Sequence, residues 1–319
     1  MKYILAADIG GTYTRIGVFT PRGQRKVYHR FENVRYPSAS ALLHDFRVRH
    51  GLSFSKVCVA VAGPVRAGVA TMPNLAWQVS EELLAHTLLV KDVKVVNDAH
   101  AAAAALENTP LVQVKAGRQE DGVRAVIGPG TGLGCSYSVW DGKRYLSCAS
   151  EGGHVDFAPS TEREAALWEY AKRRFAHVSA ERLISGPGLV TIYNFLRDER
   201  LAVESEAERK AIAASYSPAK AIMDAGVAQN DSLAALAVTE FTSLFGSFAG
   251  SYALSLGATG GVYLFGSLAN RLVPLLKESG FEHAFSRKGR MRPYLERIPV
   301  FVVKDPDVVL KGAYLLAKT

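Results

Sequence analysis

Two short stretches carry residue types suited to holding phosphate: Asp8-Ile9-Gly10-Gly11-Thr12 and Gly128-Pro129-Gly130-Thr131-Gly132. In each, a buried strand runs into a glycine and threonine turn that feeds a second strand. Glycines at a strand end let the backbone approach a ligand closely and aim several N–H groups at one point, which suits phosphate oxygens. Thr12 and Thr131 add hydroxyl donors. Asp8 does not hold phosphate directly, but a carboxylate beside two phosphate-binding turns suits a hydrated Mg2+. Either turn taken alone also reads as a plain hairpin connection. Spacing excludes two other phosphate loops. The chain has no Gly-x-x-x-x-Gly-Lys-Ser/Thr, and the third glycine of a Gly-x-Gly-x-x-Gly pattern begun at Gly128 falls on Leu133.

Strands must present these turns. Tyr3 to Ile9, Thr14 to Thr20 and Lys26 to Phe31 read as three strands, punctuated by Gly10-Gly11 and Pro21-Arg22-Gly23. A helix over Ala39 to His50, a buried strand over Lys56 to Ala62 and a short strand over Gly68 to Met72 follow. Ser80-Glu81-Glu82 opens a helix with a cap and an acidic first turn. Val93 to Val96 is an apolar strand, and Asp98, as N-cap, starts an alanine-rich helix. The pattern restarts with strands at Arg124 to Ile127, Cys135 to Trp140 and Lys143 to Cys148. Helices near Thr161 to Phe175, Gly188 to Leu196, Pro218 to Ala225 and Asp231 to Leu256 come next, then strands at Gly261 to Phe265 and Pro299 to Val303, and a last helix over Asp307 to Ala317. Three strands followed by alternating helix and strand thus occur twice, offset by roughly 120 residues.

At 319 residues the chain has room for two cores. Its 48% hydrophobic and 21% charged residues are ordinary for a globular protein. No apolar run reaches the ~18 residues that span a bilayer, and the N-terminus enters a strand at once, so a cytoplasmic protein without membrane association is expected. The net charge of +8 invites a nucleic-acid partner. Most cations are scattered, however, and the one dense run, Arg287-Lys288-Gly289-Arg290-Met291-Arg292, has no basic helix or aromatic platform beside it. A solvated basic surface is the expectation. Cys58, Cys135 and Cys148 lack metal-ligand spacing, and their odd number argues against a disulfide framework. If Asp141-Gly142 is a two-residue turn, Trp140 pairs with Lys143, and Cys135 lies opposite Cys148 at ~4.5 Å, the short edge of disulfide geometry. A strained, readily reduced link between them is then an oxidised alternative to two buried thiols.

These residues resemble the bacterial glucokinases, within the superfamily of actin, sugar kinases and Hsp70. Besides the two glycine turns, the resemblance rests on Val96-Asn97-Asp98, Glu151-Gly152-Gly153-His154-Val155-Asp156-Phe157-Ala158-Pro159, His177-Val178-Ser179-Ala180-Glu181-Arg182, Ser185-Gly186-Pro187-Gly188 and Gly260-Gly261-Val262. It implies an α/β, two-domain actin-like ATPase (ribonuclease H-like) fold, with duplicated strand-strand-strand-helix-strand-helix-strand-helix cores around a cleft. Residues 1–108 plus 305–319 would form the small domain, and 109–304 the large one. The implied reaction transfers the γ-phosphate of ATP to the 6-hydroxyl of glucose, the first step of glycolysis, with closure of the domains around the sugar. Asp98 would be the catalytic base, with Asn97, Asp98, Glu151, His154 and Glu181 reading the sugar hydroxyls. Asp8, Ile9, Gly10, Gly11, Thr12, Gly130, Thr131, Gly132, Gly260 and Gly261 would bind the nucleotide, and Asp8 would hold Mg2+ through water. A homodimer is also implied. The chain departs from the family pattern at Ala7, Tyr13 and Ser267, all on the nucleotide side, and lacks the Cys-x-Cys cluster of zinc-binding relatives, so no zinc is expected. Another hexose, polyphosphate as donor, or a non-catalytic sugar sensor are the alternatives. Intact Asp8 and Asp98 favour the enzyme.

Overall fold

In the computed structural model, which describes residues 2–72, 75–277 and 280–319, the chain divides into two compact units. The first comprises Met1–Pro110, Ser136–Ser150 and Asp305–Thr319, and the second Leu111–Cys135 and Glu151–Lys304. The segment Ser136–Ser150 groups with the first unit, whereas the sequence boundaries place it in the second.

The first unit opens with β1 (Tyr3–Ile9), β2 (Tyr13–Phe19) and β3 (Arg25–Glu32), followed by α1 (Ala39–His50) and β4 (Phe54–Val61). Then come β5 (Val65–Arg66), β6 (Val69–Met72), β7 (Trp77–Ser80), α2 (Glu81–Leu88), β8 (Asp92–Asn97) and α3 (Asp98–Ala104). The main sheet has the order β3-β2-β1-β4-β8, and β5-β6-β7 form a small sheet of their own. β1 pairs antiparallel with β2 and parallel with β4, which is parallel to β8. Central β1 is buried on both faces, as parallel strands covered on either side are, and so reads as an unbroken apolar run. β3 is a mostly exposed edge strand carrying Arg25, Lys26 and Arg30, charges that discourage edge-to-edge pairing. Ser38 and Ser80 cap α1 and α2, their side chains accepting from Ala41 and Leu83 N–H. Gly51 ends α1 with φ 57°, the left-handed conformation that glycine adopts without strain.

The next strands are β9 (Leu111–Lys115) and β10 (Arg124–Pro129) of the second unit, then the hairpin β11 (Leu133–Trp140) and β12 (Tyr145–Ser150). Asp141 N–H donates to Arg144 O at 3.1 Å, and the Trp140 and Tyr145 rings meet at 4.9 Å. The tight turn is therefore Gly142-Lys143, with Gly142 at φ 94°, and not the expected Asp141-Gly142. Asp141 sits just before it because its carboxylate accepts from Lys143 N–H at 2.8 Å and Arg144 N–H at 2.9 Å, the side-chain turn that aspartate favours. The shift places Cys148 against Tyr137, to which it is hydrogen-bonded. The anticipated Cys135–Cys148 pairing is thereby overturned, and among the described residues no cysteine is in a disulfide.

The second unit continues with α4 (Glu162–Lys172), α5 (Gly186–Asp198), α6 (Glu206–Ala214), α7 (Pro218–Val227) and α8 (Ser232–Leu256). After β13 (Val262–Leu264) come α9 (Ser267–Leu276), α10 (Phe281–Ser286), α11 (Arg292–Glu296) and β14 (Val300–Val303). β13 lies parallel to β10 and to β14, and β9 closes the edge antiparallel to β14. Contrary to expectation, α8 is long and apolar enough to cross a membrane, but 67% of its most apolar window is buried. It is the core helix of this unit, capped by the Asp231 carboxylate and by Gly257 at φ 59°. The basic run is engaged internally: Arg287 donates to Ser160 and Glu164, Lys288 to Ser247 and Arg292 to Glu296.

The final helix, α12 (Val308–Lys318), belongs to the first unit. It approaches α3 so closely at Gly312 that a Cβ there would overlap the Ala101 carbonyl.

Candidate active site

The first glycine turn is tied by Gly10 N–H to Tyr13 O at 3.0 Å. Asn33, 1% exposed, clamps it from behind. Its amide donates to Gly10 O at 2.8 Å, its carbonyl accepts from Thr14 Oγ1 at 2.7 Å, and its backbone N–H reaches Thr12 O at 2.9 Å. Sequence reading missed Asn33, which is distant in the chain and belongs to no motif. Thr12 is exposed at the tip of the turn.

Asp8 is 7% exposed at the end of β1, directly across from Arg15 of β2. Arg15 Nη1 lies 2.9 Å from Asp8 Oδ2. Burial pushes the Asp8 pKa up, Arg15 pulls it back and Asp307 adds to the rise. Among the described residues, no cluster of three or more His, Cys, Asp or Glu side chains can hold a metal. A buried carboxylate paired with Arg15 and with Asp307 near enough to act on it fits a Mg2+ bound mainly by water and phosphate oxygens, the usual mode of that ion at nucleotide sites.

Asn97 and Asp98 stand at the junction of β8 and α3. The cap of α3 is Asn97 and not Asp98: its Oδ1 accepts from Ala99 N–H at 2.9 Å and His100 N–H at 3.3 Å, while Nδ2 donates to Gly63 O at 3.2 Å. Asp98 is half-buried, and its Oδ1 accepts from Ala99 N–H at 2.8 Å. Two further bonds hold this helix start against the hairpin: Ser136 Oγ to Ala99 O at 2.6 Å and His100 Nε2 to Ser147 O at 3.1 Å. A carbonyl only accepts, so His100 carries its proton on Nε2. Burial holds its pKa below 6.5, the carbonyl pulling the other way.

In the second unit, the structure brings the other glycine turn together with Glu181, His154 and Glu151. Gly130 N–H reaches Gly132 O, and Gly186 N–H at the start of α5 reaches Gly130 O, both at 2.8 Å. Glu181 Oε2 accepts from Leu133 N–H at 2.9 Å. A Cβ at Gly132 would overlap that same carboxylate oxygen, and one at Gly153 would overlap Leu133 O. These glycines let the turn, the Glu151–His154 segment and Glu181 pack together. His154 lies between two acids, Nε2 at 3.8 Å from Glu151 and Nδ1 at 3.8 Å from Glu181. Loss of water raises the Glu151 pKa, His154 opposing and Glu181 reinforcing the rise. A surface depression of about 400 Å³ is lined by His154, Glu181, Ser179, Arg174, His177 and Arg182.

Gly260 and Gly261 are not part of this cluster. Gly260 N–H bonds Val123 O, before β10 begins, whereas Gly130 follows β10. At about 3.3 Å per residue the two lie roughly 20 Å apart, at opposite ends of parallel strands. Gly260 is instead needed where its backbone abuts Gly122, and Gly261 adopts φ 103°. The positions that do adjoin the second turn are Gly266, at φ 93° beside the Pro129 carbonyl, and Ser267, which begins α9. In a parallel sheet, residues following the strands converge at one edge, so strand direction was the signal that separates the two pairs.

A family model described as Glucokinase matches residues 5–319. A glucokinase of Trichormus variabilis is 36% identical over 339 aligned positions, covering 99% of each chain. Among solved structures, a glucokinase from an Antarctic psychrotroph superposes with TM-score 0.79 at 29% identity, covering 99% of each chain. A ROK family glucokinase from Streptomyces griseus, in complex with glucose and AMPPNP, superposes with TM-score 0.70 at 20% identity and 99% coverage of each chain.

Proposed function

The chain belongs to the glucokinase family and is an ATP-dependent sugar kinase; on that premise we propose that Asp98 is its catalytic base. Phosphoryl transfer passes through a loose transition state, so the base mainly orients the attacking hydroxyl and takes its proton. Asp98 suits this role because its Oδ1 is fixed by the Ala99 N–H, which holds the carboxylate in one pose. Glu151, His154 and Glu181 read the sugar hydroxyls. A pyranose offers paired donors and acceptors, and an imidazole between two carboxylates supplies both kinds. The observation that carries the reading is the bond from Leu133 N–H to Glu181, which ties a sugar-reading acid to the second glycine turn. The Asn97 carbonyl is engaged as a helix cap, leaving an N–H of its amide for a sugar hydroxyl.

The turns at Gly10-Gly11-Thr12 and Gly130-Thr131-Gly132 take phosphate oxygens, and Gly266 and Ser267 adjoin the adenosine. Asp8 holds Mg2+ through water, and the ion, when bound, offsets the charge on the phosphates. The two units each descend from one strand-strand-strand-helix-strand-helix-strand-helix core, a reading supported by the order of the first sheet. The protein works as a cytoplasmic homodimer and supplies glycolysis, as the resemblance implies. One coupled assay tests the function: ATP consumption with glucose, mannose, glucosamine and fructose, and polyphosphate in place of ATP. Glucose with ATP is expected to be fastest. No turnover with ATP and any hexose would overturn the reading.

A further inference from the structure

Arg15 is not among the residues so far given a role, yet it touches Asp8. β1 and β2 place the two directly opposite each other, and the guanidinium reaches the carboxylate at 2.9 Å. The same Nη1 lies 3.5 Å from the carbonyl of Pro306. Asp307, whose charge acts on Asp8, is held by Arg25 at 2.7 Å. The position facing Asp8 on the other neighbouring strand is Ala60, which brings no charge. Arg15 thus stands between a buried carboxylate and a second set of acceptors at the start of α12. Its side chain is 35% exposed, against 10% for Asp8, so the arginine borders open solvent and the aspartate is enclosed.

We propose that Arg15 is a positioning residue for nucleotide binding, aiming the Asp8 carboxylate at the first glycine turn and yielding it when a metal-bound nucleotide arrives. The guanidinium then rests on the Pro306 carbonyl and on Asp307. A planar guanidinium fixes a carboxylate's direction in a way an ammonium does not, so lysine is an incomplete substitute. The inference rests on the reading of Asp8 as a nucleotide-site residue, and the test separates the two.

The test is a double-mutant cycle of Asp8→Asn, Arg15→Met and the double variant. It reads KM for ATP and kcat at saturating glucose, together with calorimetric binding of ADP with Mn2+ in the absence of sugar. Arg15→Met is expected to weaken ADP–Mn2+ binding and raise the ATP KM by about tenfold in the native background, and by less than about twofold on top of Asp8→Asn. Arg15→Lys, which keeps the charge and guards against loss of folding, is expected to recover part of the binding. Equal penalties for Arg15→Met in both backgrounds, or unchanged ADP–Mn2+ affinity, would overturn the role of Arg15. Unchanged affinity in Asp8→Asn alone would instead remove Asp8 from the nucleotide site.

Discussion

At the scale of single residues, Asp98 and Gly132 make opposite demands. Asp98 is only half-buried, so its replacement removes more chemistry than packing. Asp98→Ala is expected to cut turnover ~10²-fold or more while leaving calorimetric glucose affinity within about tenfold. Near-normal turnover with the same product would exclude Asp98 as the base. Gly132 has no spare room, because any Cβ meets the Glu181 carboxylate. Gly132→Ala is expected to displace Glu181 from Leu133 N–H and raise the glucose KM by about tenfold, since a hydrogen bond to a charged group contributes ~1.5–3 kcal/mol. Steady-state kinetics on glucose check this, and an unchanged KM would show that Glu181 tolerates the shift. Neither glycine turn announces such a requirement by composition. Gly132 reads as a phosphate-turn glycine, and its contact with an acid nearly fifty residues later is a tertiary fact.

At the scale of elements, the long apolar strands were legible because burial on both faces leaves an unbroken signature. β1, β4 and β8 each lie within a residue or two of their expected limits. The short strands β5 and β7 and the edge strand β9 were not, because they are partly exposed and mixed in pattern, whereas the equally short β13 and β14 are almost wholly buried and apolar. In the Asn97-Asp98 pair either residue can cap, and backbone geometry chose Asn97. Glu151, His154 and Glu181 came from family resemblance; their spacing along the chain has no period. α3 makes its own prediction. Burial holds the His100 pKa below its unfolded value of 6.5, so the folded state binds fewer protons between the two. Its contribution is fully present above pH 6.5 and lost as pH falls through the folded pKa. Thermal unfolding between pH 7.5 and 5 is therefore expected to fall less steeply in His100→Gln, which keeps a donor for Ser147 O. Parallel curves for the two proteins would assign the acid sensitivity elsewhere.

At the scale of the whole molecule, each unit has a hydrophobic core of its own, and the two share no residue. A ligand held by one unit adds its binding energy to that unit's stability. At 100 times its Kd, glucose contributes ~2.7 kcal/mol, which for a body of 150–250 residues corresponds to roughly 5–10 °C. Trp168 is the single tryptophan of the second unit, Trp77 and Trp140 lying in the first. Its fluorescence follows the unit that contains Glu151, His154 and Glu181. Glucose is expected to raise the unfolding temperature in a Trp77→Phe/Trp140→Phe protein, and Glu181→Gln to abolish most of that rise. A shift that survives Glu181→Gln would move sugar recognition away from this acid.

The packing of α12 against α3 at Gly312 sets a timetable for synthesis. The helix that begins with Asp98 leaves the ribosome about 200 residues before the helix that covers it, some 10–40 s at ordinary elongation rates. The second unit, which ends at Lys304, is complete in the emerging chain before the last part of the first. During the wait, the residues of α3 that the finished protein buries are all alanines, Ala99, Ala101, Ala102 and Ala103, and Ala101 is the one that meets Gly312. Methyl groups present little apolar area to a neighbouring nascent chain. An alanine helix therefore serves two ends: it admits a backbone-to-backbone approach at Ala101 in the finished protein, and it keeps the unfinished one from sticking.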